Sequence, residues 1–247
     1  MQIDILTLFP FMFASPFSES IIKRAVEKSL VTINIINIRD SATDKHQQVD
    51  DYPYGGGAGM VLKPDVVISA IEKVKRSDSQ VVYLSPQGPK LNQSIAEELS
   101  KHEHLILLCG HYEGIDERIM NFVDEELSIG DYVLTGGELP AMVLTDAVIR
   151  LIPGVLGDDE SAMDESFAQQ LLEYPHYTRP RVYKQLEVPE VLLSGHHENI
   201  RKWRLKQSLL RTLLKHPELL IKKQFTAEEK GLLIEILFNR EQNSEKS

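Results

Sequence analysis

Short apolar runs alternate with stretches of helical periodicity through the first 150 residues, and this alternation restricts the fold more than any other property of the chain. Residues 3–8, 31–38, 81–84 and 105–108 read as strands, rich in Val, Ile and Leu. Between them, 20–30, 64–75 and 94–100 read as helices, with Ser18 or Ser20 as the cap of the first. Strands regularly separated by helices pair in parallel and are covered by those helices, so the expected class is α/β with a mostly parallel sheet. An apolar helix over 139–151 closes this first domain. At 247 residues and 42% hydrophobic content, the chain has room for one large domain or for one domain and a small companion.

The pattern changes at residues 157–165, Gly-Asp-Asp-Glu-Ser-Ala-Met-Asp-Glu, which are polar, acidic and unpatterned, as in a hinge or linker. The expected division is a first domain over 1–157, a flexible acidic linker over 158–175 and a helical basic domain over 176–247. In the last of these, 198–216 reads as a helix stopped before Pro217, and Thr226-Ala-Glu-Glu229 is a capping box that opens a final helix to about residue 239. A formal charge of −10 argues at first against a nucleic-acid partner. Yet residues 176–223 hold eleven Lys or Arg against four Glu, a net of +7 that leaves −17 on the rest of the chain. Arg201, Arg204, Arg211 and Lys215 share one helix face, opposite Trp203, Leu210, Leu213 and Leu214, so one side presents cations while the other packs.

No apolar run approaches the roughly 20 residues that span a bilayer, and the N-terminus lacks a signal-peptide layout; a soluble cytoplasmic protein with no membrane partner is expected. The single cysteine, Cys109, reads as a small buried apolar residue. His102, His104, His111, His196 and His197 have no spacing of a ligand set and read as surface histidines, so no metal site is assigned.

Two glycine-bearing segments follow or contain apolar runs: Cys109-Gly-His-Tyr-Glu-Gly-Ile-Asp-Glu-Arg118 and Ser128-Ile-Gly-Asp-Tyr-Val-Leu-Thr-Gly-Gly-Glu-Leu-Pro140. Glycines bring bare main-chain groups close to a ligand, and strand ends are where α/β proteins bind ligands, so the two segments read as two walls of one pocket. Tyr54-Gly-Gly-Gly-Ala-Gly59 is not a dinucleotide fingerprint, because no strand precedes it and Lys63-Pro64 discourages an immediate helix. There is no Walker-type phosphate loop either.

Together with Leu84-Ser-Pro-Gln-Gly88, Asp51-Tyr-Pro-Tyr-Gly-Gly-Gly-Ala-Gly59, Ile152-Pro-Gly-Val-Leu-Gly157 and Pro175-His-Tyr-Thr-Arg-Pro180, these segments resemble the bacterial tRNA (guanine-N1)-methyltransferases, the TrmD family, from the first strand to about Arg211. The resemblance implies a SPOUT-type fold with a deep C-terminal trefoil knot and a homodimer whose active site lies at the interface. It also implies transfer of a methyl group from S-adenosylmethionine to N1 of the guanine at position 37 of tRNA, next to the anticodon, within the anticodon stem-loop. The matching cofactor positions are Leu84, Ser85, Pro86, Gln87, Gly88, Gly110, Tyr112, Glu113, Gly114, Ser128, Ile129, Gly130, Asp131, Tyr132, Val133, Leu134, Gly136, Gly137 and Pro140.

Neutral guanine carries a proton on N1, so methylation there needs a general base, and the charge that moves onto O6 needs a donor or cation. The family has an Asp directly before Ser-Phe as the proposed base; here that position is Glu165, with Asp164 next to it, and the resemblance leaves both as candidates. Arg150 matches the arginine proposed to stabilise charge on O6. The chemistry alone requires no metal, although magnesium could assist through tRNA structure or directly. Arg179, Arg181, Arg201, Arg204 and Arg211 are the expected phosphate contacts, chosen by charge and face. Two other readings stay open: a SPOUT methyltransferase acting on another RNA site, and an RNA-binding module without catalysis, which the Glu165 departure keeps alive.

Overall fold

Strands that are apolar on both faces need cover on both faces, and the first part of the chain supplies it. In the computed structural model, which describes residues 1–156, 166–167 and 169–244, with side chains to residue 238, the chain divides into units Met1–Asp159 and Glu160–Ser247. In the first unit, β1 (Gln2–Thr7), β2 (Thr32–Asn37), β5 (Ser79–Leu84), β6 (His104–Cys109) and β7 (Glu125–Leu127) form one sheet in the order β2-β1-β6-β5-β7. Every pairing in it is parallel. A two-residue antiparallel pair, β3 (Asp50–Asp51) with β4 (Val61–Leu62), stands apart.

Side chains alternate between the two faces, as the pleat requires. Ile3, Ile5, Val82, Leu84, Leu105 and Leu107 pack under α2 (Ser20–Glu27), α4 (Gln93–Leu99) and α5 (Glu138–Ile149). Leu6, Val81, Tyr83, Ile106 and Leu108 pack under α3 (Pro64–Val74) and a 3-10 turn, Glu117–Phe122. The helices therefore lie within a few residues of where periodicity puts them. The expected serine cap of α2 is absent, because the Ser18 hydroxyl donates to the carbonyl of Ser15 at 3.0 Å and closes the preceding turn, α1 (Ala14–Phe17).

His104 corrects the surface reading of the histidines: it is fully buried. It sits in the middle of the sheet, where Nε2 lies 3.0 Å from Asp4 Oδ2 and Nδ1 lies 2.6 Å from Ser79 Oγ. Asp4 also accepts from the side-chain amides of Gln2 at 2.8 Å and Asn34 at 2.7 Å, so a buried carboxylate is satisfied by three donors.

The path after β7 positions the site. β7 lies at the sheet edge, outside β5, yet Gly137 N donates to Gly110 O at 2.8 Å and His111 bridges Gly136. The chain thus recrosses the C-terminal end of β5 to reach β6, and α5 then runs back along β6 and β1.

Among the described residues, the regular structure of the second unit is helical apart from a short hairpin, β8 (Val182–Tyr183) with β9 (Leu186–Glu187), which follows an irregular stretch over 169–181. It contains α6 (Glu190–Leu193), α7 (His197–Lys215), α8 (Pro217–Lys222) and α9 (Ala227–Ser244). Leu171, Leu209 and Ile236 form its core, with Leu205, Leu210, Leu213 and Phe225 against them. The expected capping box is present: Glu229 N donates to Thr226 Oγ1 at 3.2 Å and Thr226 N to Glu229 Oε2 at 2.8 Å. The packing face of α7 differs from the expected one, since Ser208, Leu209 and Thr212 are buried while Leu214 is 52% exposed. The Thr212 hydroxyl donates to Ser208 O at 2.7 Å and accepts from Leu172 N at 2.8 Å, which lets a polar residue occupy a buried position.

Candidate active site

Three loops at the C-terminal ends of β5, β6 and β7 enclose a cavity of about 340 Å³, within the range typical of small-molecule sites. Ser85 N and Leu127 O, Ser128 N and Pro89 O, Leu91 N and Ser128 O, and Gly137 N and Gly110 O hydrogen-bond across the loops at 2.8 to 3.0 Å. Close approach of main chains is why glycine stands at the crossing: a Cβ on Gly137 would lie 2.7 Å from Cys109 Cα. Likewise, a Cβ on Gly110 would lie 2.9 Å from the Tyr83 hydroxyl beneath it.

Of the nineteen expected cofactor positions, seventeen line this cavity. They are Leu84, Ser85, Pro86 and Gln87 from the first loop, Gly110, Tyr112, Glu113 and Gly114 from the second, and Ser128, Ile129, Gly130, Tyr132, Val133, Leu134, Gly136, Gly137 and Pro140 from the third. Gly88 and Asp131 do not line it. Gly88 is pressed against the Glu126–Leu127 backbone, 2.5 Å from where its Cβ would stand, and Asp131 turns outward to Lys90 at 2.5 Å.

Tyr83, His111, Ile115, Glu117, Met120, Glu126, Leu127 and Thr135 complete the lining; His111, Ile115, Glu117 and Thr135 belong to the two glycine-bearing segments read as pocket walls, whereas Tyr83, Met120, Glu126 and Leu127 were missed from the sequence. Tyr83 precedes the first motif by one residue and points to the same sheet face as Val81, a signal that strand alternation carries. Burial, then the carboxylates of Glu126 and Glu117, push its phenol up to about 12, so it stays a neutral donor at physiological pH. Glu113, Glu117 and Glu126 face a cavity with no lysine or arginine in its lining, an arrangement that favours a cationic ligand. Main-chain N–H and C=O groups of the third loop and the apolar side chains of Leu84, Ile129, Val133 and Leu134 suit a flat heterocycle.

The floor is anchored by α5. Glu138, 2% exposed in its first turn, accepts from the Thr7 hydroxyl at 2.9 Å, and Thr7 Oγ1 accepts from Phe9 N at 2.9 Å. A carboxylate there also faces the positive end of the helix dipole. Cys109, fully buried beside it, has its thiol pushed well up by burial and by the Glu138 charge, which removes it as a nucleophile.

The sequence profile of the family described as tRNA (Guanine-1)-methyltransferase TrmD matches residues 1–222. The chain belongs to the TrmD family. Among curated relatives, it is 70% identical to the tRNA (guanine-N(1)-)-methyltransferase of Syntrophomonas wolfei over 241 residues, 98% of this chain and 99% of that one. It is 62% identical to the protein of the same name from Carboxydothermus hydrogenoformans, with 94% of this chain and 92% of that one covered. For the Dictyoglomus turgidum protein the figures are 57%, 96% and 96%.

Arg150, expected from the TrmD family resemblance beside the reacting base, does not line the cavity. Asp164 and Glu165 lie outside the described residues. Arg150 is the C-terminal cap of α5, whereas the cavity is at the start of that helix; from the lining residue Pro140 to Arg150 is ten positions, about 15 Å at 1.5 Å per residue. In the second unit, Arg179 and Arg181 are exposed ahead of the hairpin. Arg204 stacks over the Tyr174 ring, 4.7 Å from its centroid. Arg201 is saturated by Glu198 and Glu228, with contacts of 2.5 to 3.0 Å, and both carboxylates hold its guanidinium protonated. No group of three or more His, Cys, Asp or Glu among the described residues is placed to hold a metal, and no helix among them is long and apolar enough to cross a membrane.

Proposed function

We propose that this chain transfers the methyl group of S-adenosylmethionine to N1 of a guanine in tRNA, at position 37 beside the anticodon. The observation that carries the reading is the glycine-lined, acid-lined cavity, built from the segments by which the chain matches the TrmD family. When bound, S-adenosylmethionine supplies an electrophilic methyl on a sulfonium, and the residues present fit it. Glu113, Glu117 and Glu126 offset its positive charge, while the Tyr83 hydroxyl donates from the floor. Main-chain groups over Ser128–Gly137 orient the adenine, and Leu84, Ile129 and Val133 exclude water from it.

The chain's own share of the chemistry is proton and charge management. Glu165 or Asp164 takes the proton from guanine N1, and Arg150 offsets the charge that develops on O6. The separation of Arg150 from the cavity of its own chain supports a site completed by a second copy. So does the exposed apolar surface shared by the 3-10 turn Pro10–Phe13 and α5, where Phe11 is 92% exposed and Leu139 and Val143 are each 48% exposed. We read the protein as a homodimer on this basis. The recrossing of the chain between β7 and α5 supports the trefoil knot, and a tRNA substrate supports a cytoplasmic location. The basic second unit holds the anticodon stem-loop while the target base is turned out.

Methyl transfer from S-adenosylmethionine into tRNA transcripts bearing G37, or a different base at 37, tests this. Incorporation is expected only with G37. Equal incorporation into both defeats the position, and none into either defeats the reaction.

A further inference from the structure

The cations of α7 fall into two sets. Arg201 is held by Glu198 and Glu228, Lys202 lies 3.7 Å from Glu198, and Lys206 lies 2.7 Å from Glu235. Arg204, Arg211 and Lys215 have no carboxylate within ion-pair distance among the described residues. At helical spacings of seven and four residues they share one face. Paired cations are electrostatically spent; a row of unpaired ones on one face is where a polyanion gains most.

Two of these unpaired cations enter a built concavity. Arg211 and Lys215, one turn apart, line a cavity of about 260 Å³ with Ser166, Tyr174, Pro175 and His176. The Ser166 hydroxyl accepts from Glu173 N at 3.1 Å, which leaves its proton to donate. Glu173 is the acidic residue of the lining, and its carboxylate is taken up by His176 Nε2 at 2.7 Å. Among the described residues, the cavity thus offers a guanidinium, an ammonium and a hydroxyl donor, with its one carboxylate hydrogen-bonded to His176 of the same lining. Tyr174, which forms one wall, carries the Arg204 guanidinium on its face.

We infer that Arg211, Lys215 and Ser166 form a cradle for a single phosphodiester of the RNA, whereas Arg201 is a structural clamp between α7 and α9 that does not touch RNA. The inference rests on the tRNA reading above and sharpens it, because it divides a basic helix into contacting and non-contacting residues.

The test is the dependence of tRNA affinity on salt, measured by fluorescence anisotropy with the full-length protein. For wild type, Arg211→Gln/Lys215→Gln and Arg201→Gln, the slope of log affinity against log salt is compared at matched temperature. The double variant is expected to bind about tenfold more weakly and to lose about 0.7 from the slope, the contribution of one single-stranded phosphate. Its melting temperature and its calorimetric affinity for S-adenosylmethionine stay at wild-type values. Arg201→Gln is expected to keep the slope and to melt earlier. A double variant with the wild-type slope overturns the cradle, as does an Arg201→Gln protein with a reduced slope and wild-type melting. Arg211→Lys, which keeps the charge, guards against a folding artefact and should retain the slope. A wild-type protein that shows no salt-dependent tRNA binding would instead sink the tRNA reading itself.

Discussion

Gly137→Ala adds one methyl group at the tightest point of the chain crossing, and its effect can be worked from the structure. The new Cβ would stand 2.7 Å from Cys109 Cα and 2.9 Å from Gly110 N, against the roughly 3.5 to 4.0 Å of an unstrained carbon contact. Neither neighbour can rotate away, because both are main-chain atoms at the end of the fully buried strand β6. The third loop must therefore back off by most of an ångström, which also breaks the 2.8 Å bond from Gly137 N to Gly110 O. Overpacking and the lost hydrogen bond together cost about 2 to 4 kcal/mol. For a unit of this size that corresponds to a melting temperature lower by about 5 to 15 °C.

Because Gly136 and Gly137 line the cavity, affinity for S-adenosylmethionine should fall with stability, at least tenfold by calorimetry. Gly231→Ala is the matched control. Nothing lies within 4 Å of its added Cβ, and it sits inside α9, where alanine is the better helix former by about 0.5 to 1 kcal/mol. The same substitution should thus destabilise the first unit and stabilise the second. A Gly137→Ala protein that melts and binds the methyl donor like wild type would refute the close-approach argument.

Two further outcomes follow from the same geometry. If the site is completed across a two-fold interface, mixing Leu134→Trp protein, whose cavity is blocked, with Asp164→Asn/Glu165→Gln protein, which lacks both candidate bases, should restore about a quarter of wild-type methyl transfer. Random exchange makes half of the dimers mixed, each with one intact site. No recovery after verified exchange would mean that the cavity and the linker carboxylate act within one chain. Asp4→Ala should cost about 3 kcal/mol in urea unfolding, because it strands the buried His104 and two amides, while kcat stays unchanged since the network sits at the opposite end of the strands from the cavity. An unchanged unfolding midpoint, or a collapse of kcat in a folded protein, would contradict that account.

The features legible in the sequence are those set by neighbours along the chain. Strand and helix periodicity, the Thr226–Glu229 capping box and the glycine segments are local signals, because each depends on residues a few positions apart. Long-range pairing decided the rest. Strand order put β6 between β1 and β5 and so buried His104, which by type and spacing read as a surface residue. Pairing of β7 with β5 brought Glu126 to the cavity without a motif to announce it, and turned Gly88 into a packing position against β7. The buried pair Ser208 and Thr212 rotated the packing face of α7 away from its most apolar stripe, because a hydroxyl satisfied by Leu172 N is as compatible with burial as a leucine. Composition and periodicity determined which segments this protein is made from, since they report the local balance of burial and backbone preference. Which side chains share one cavity was decided only by tertiary structure, since that depends on contacts between residues up to 131 positions apart.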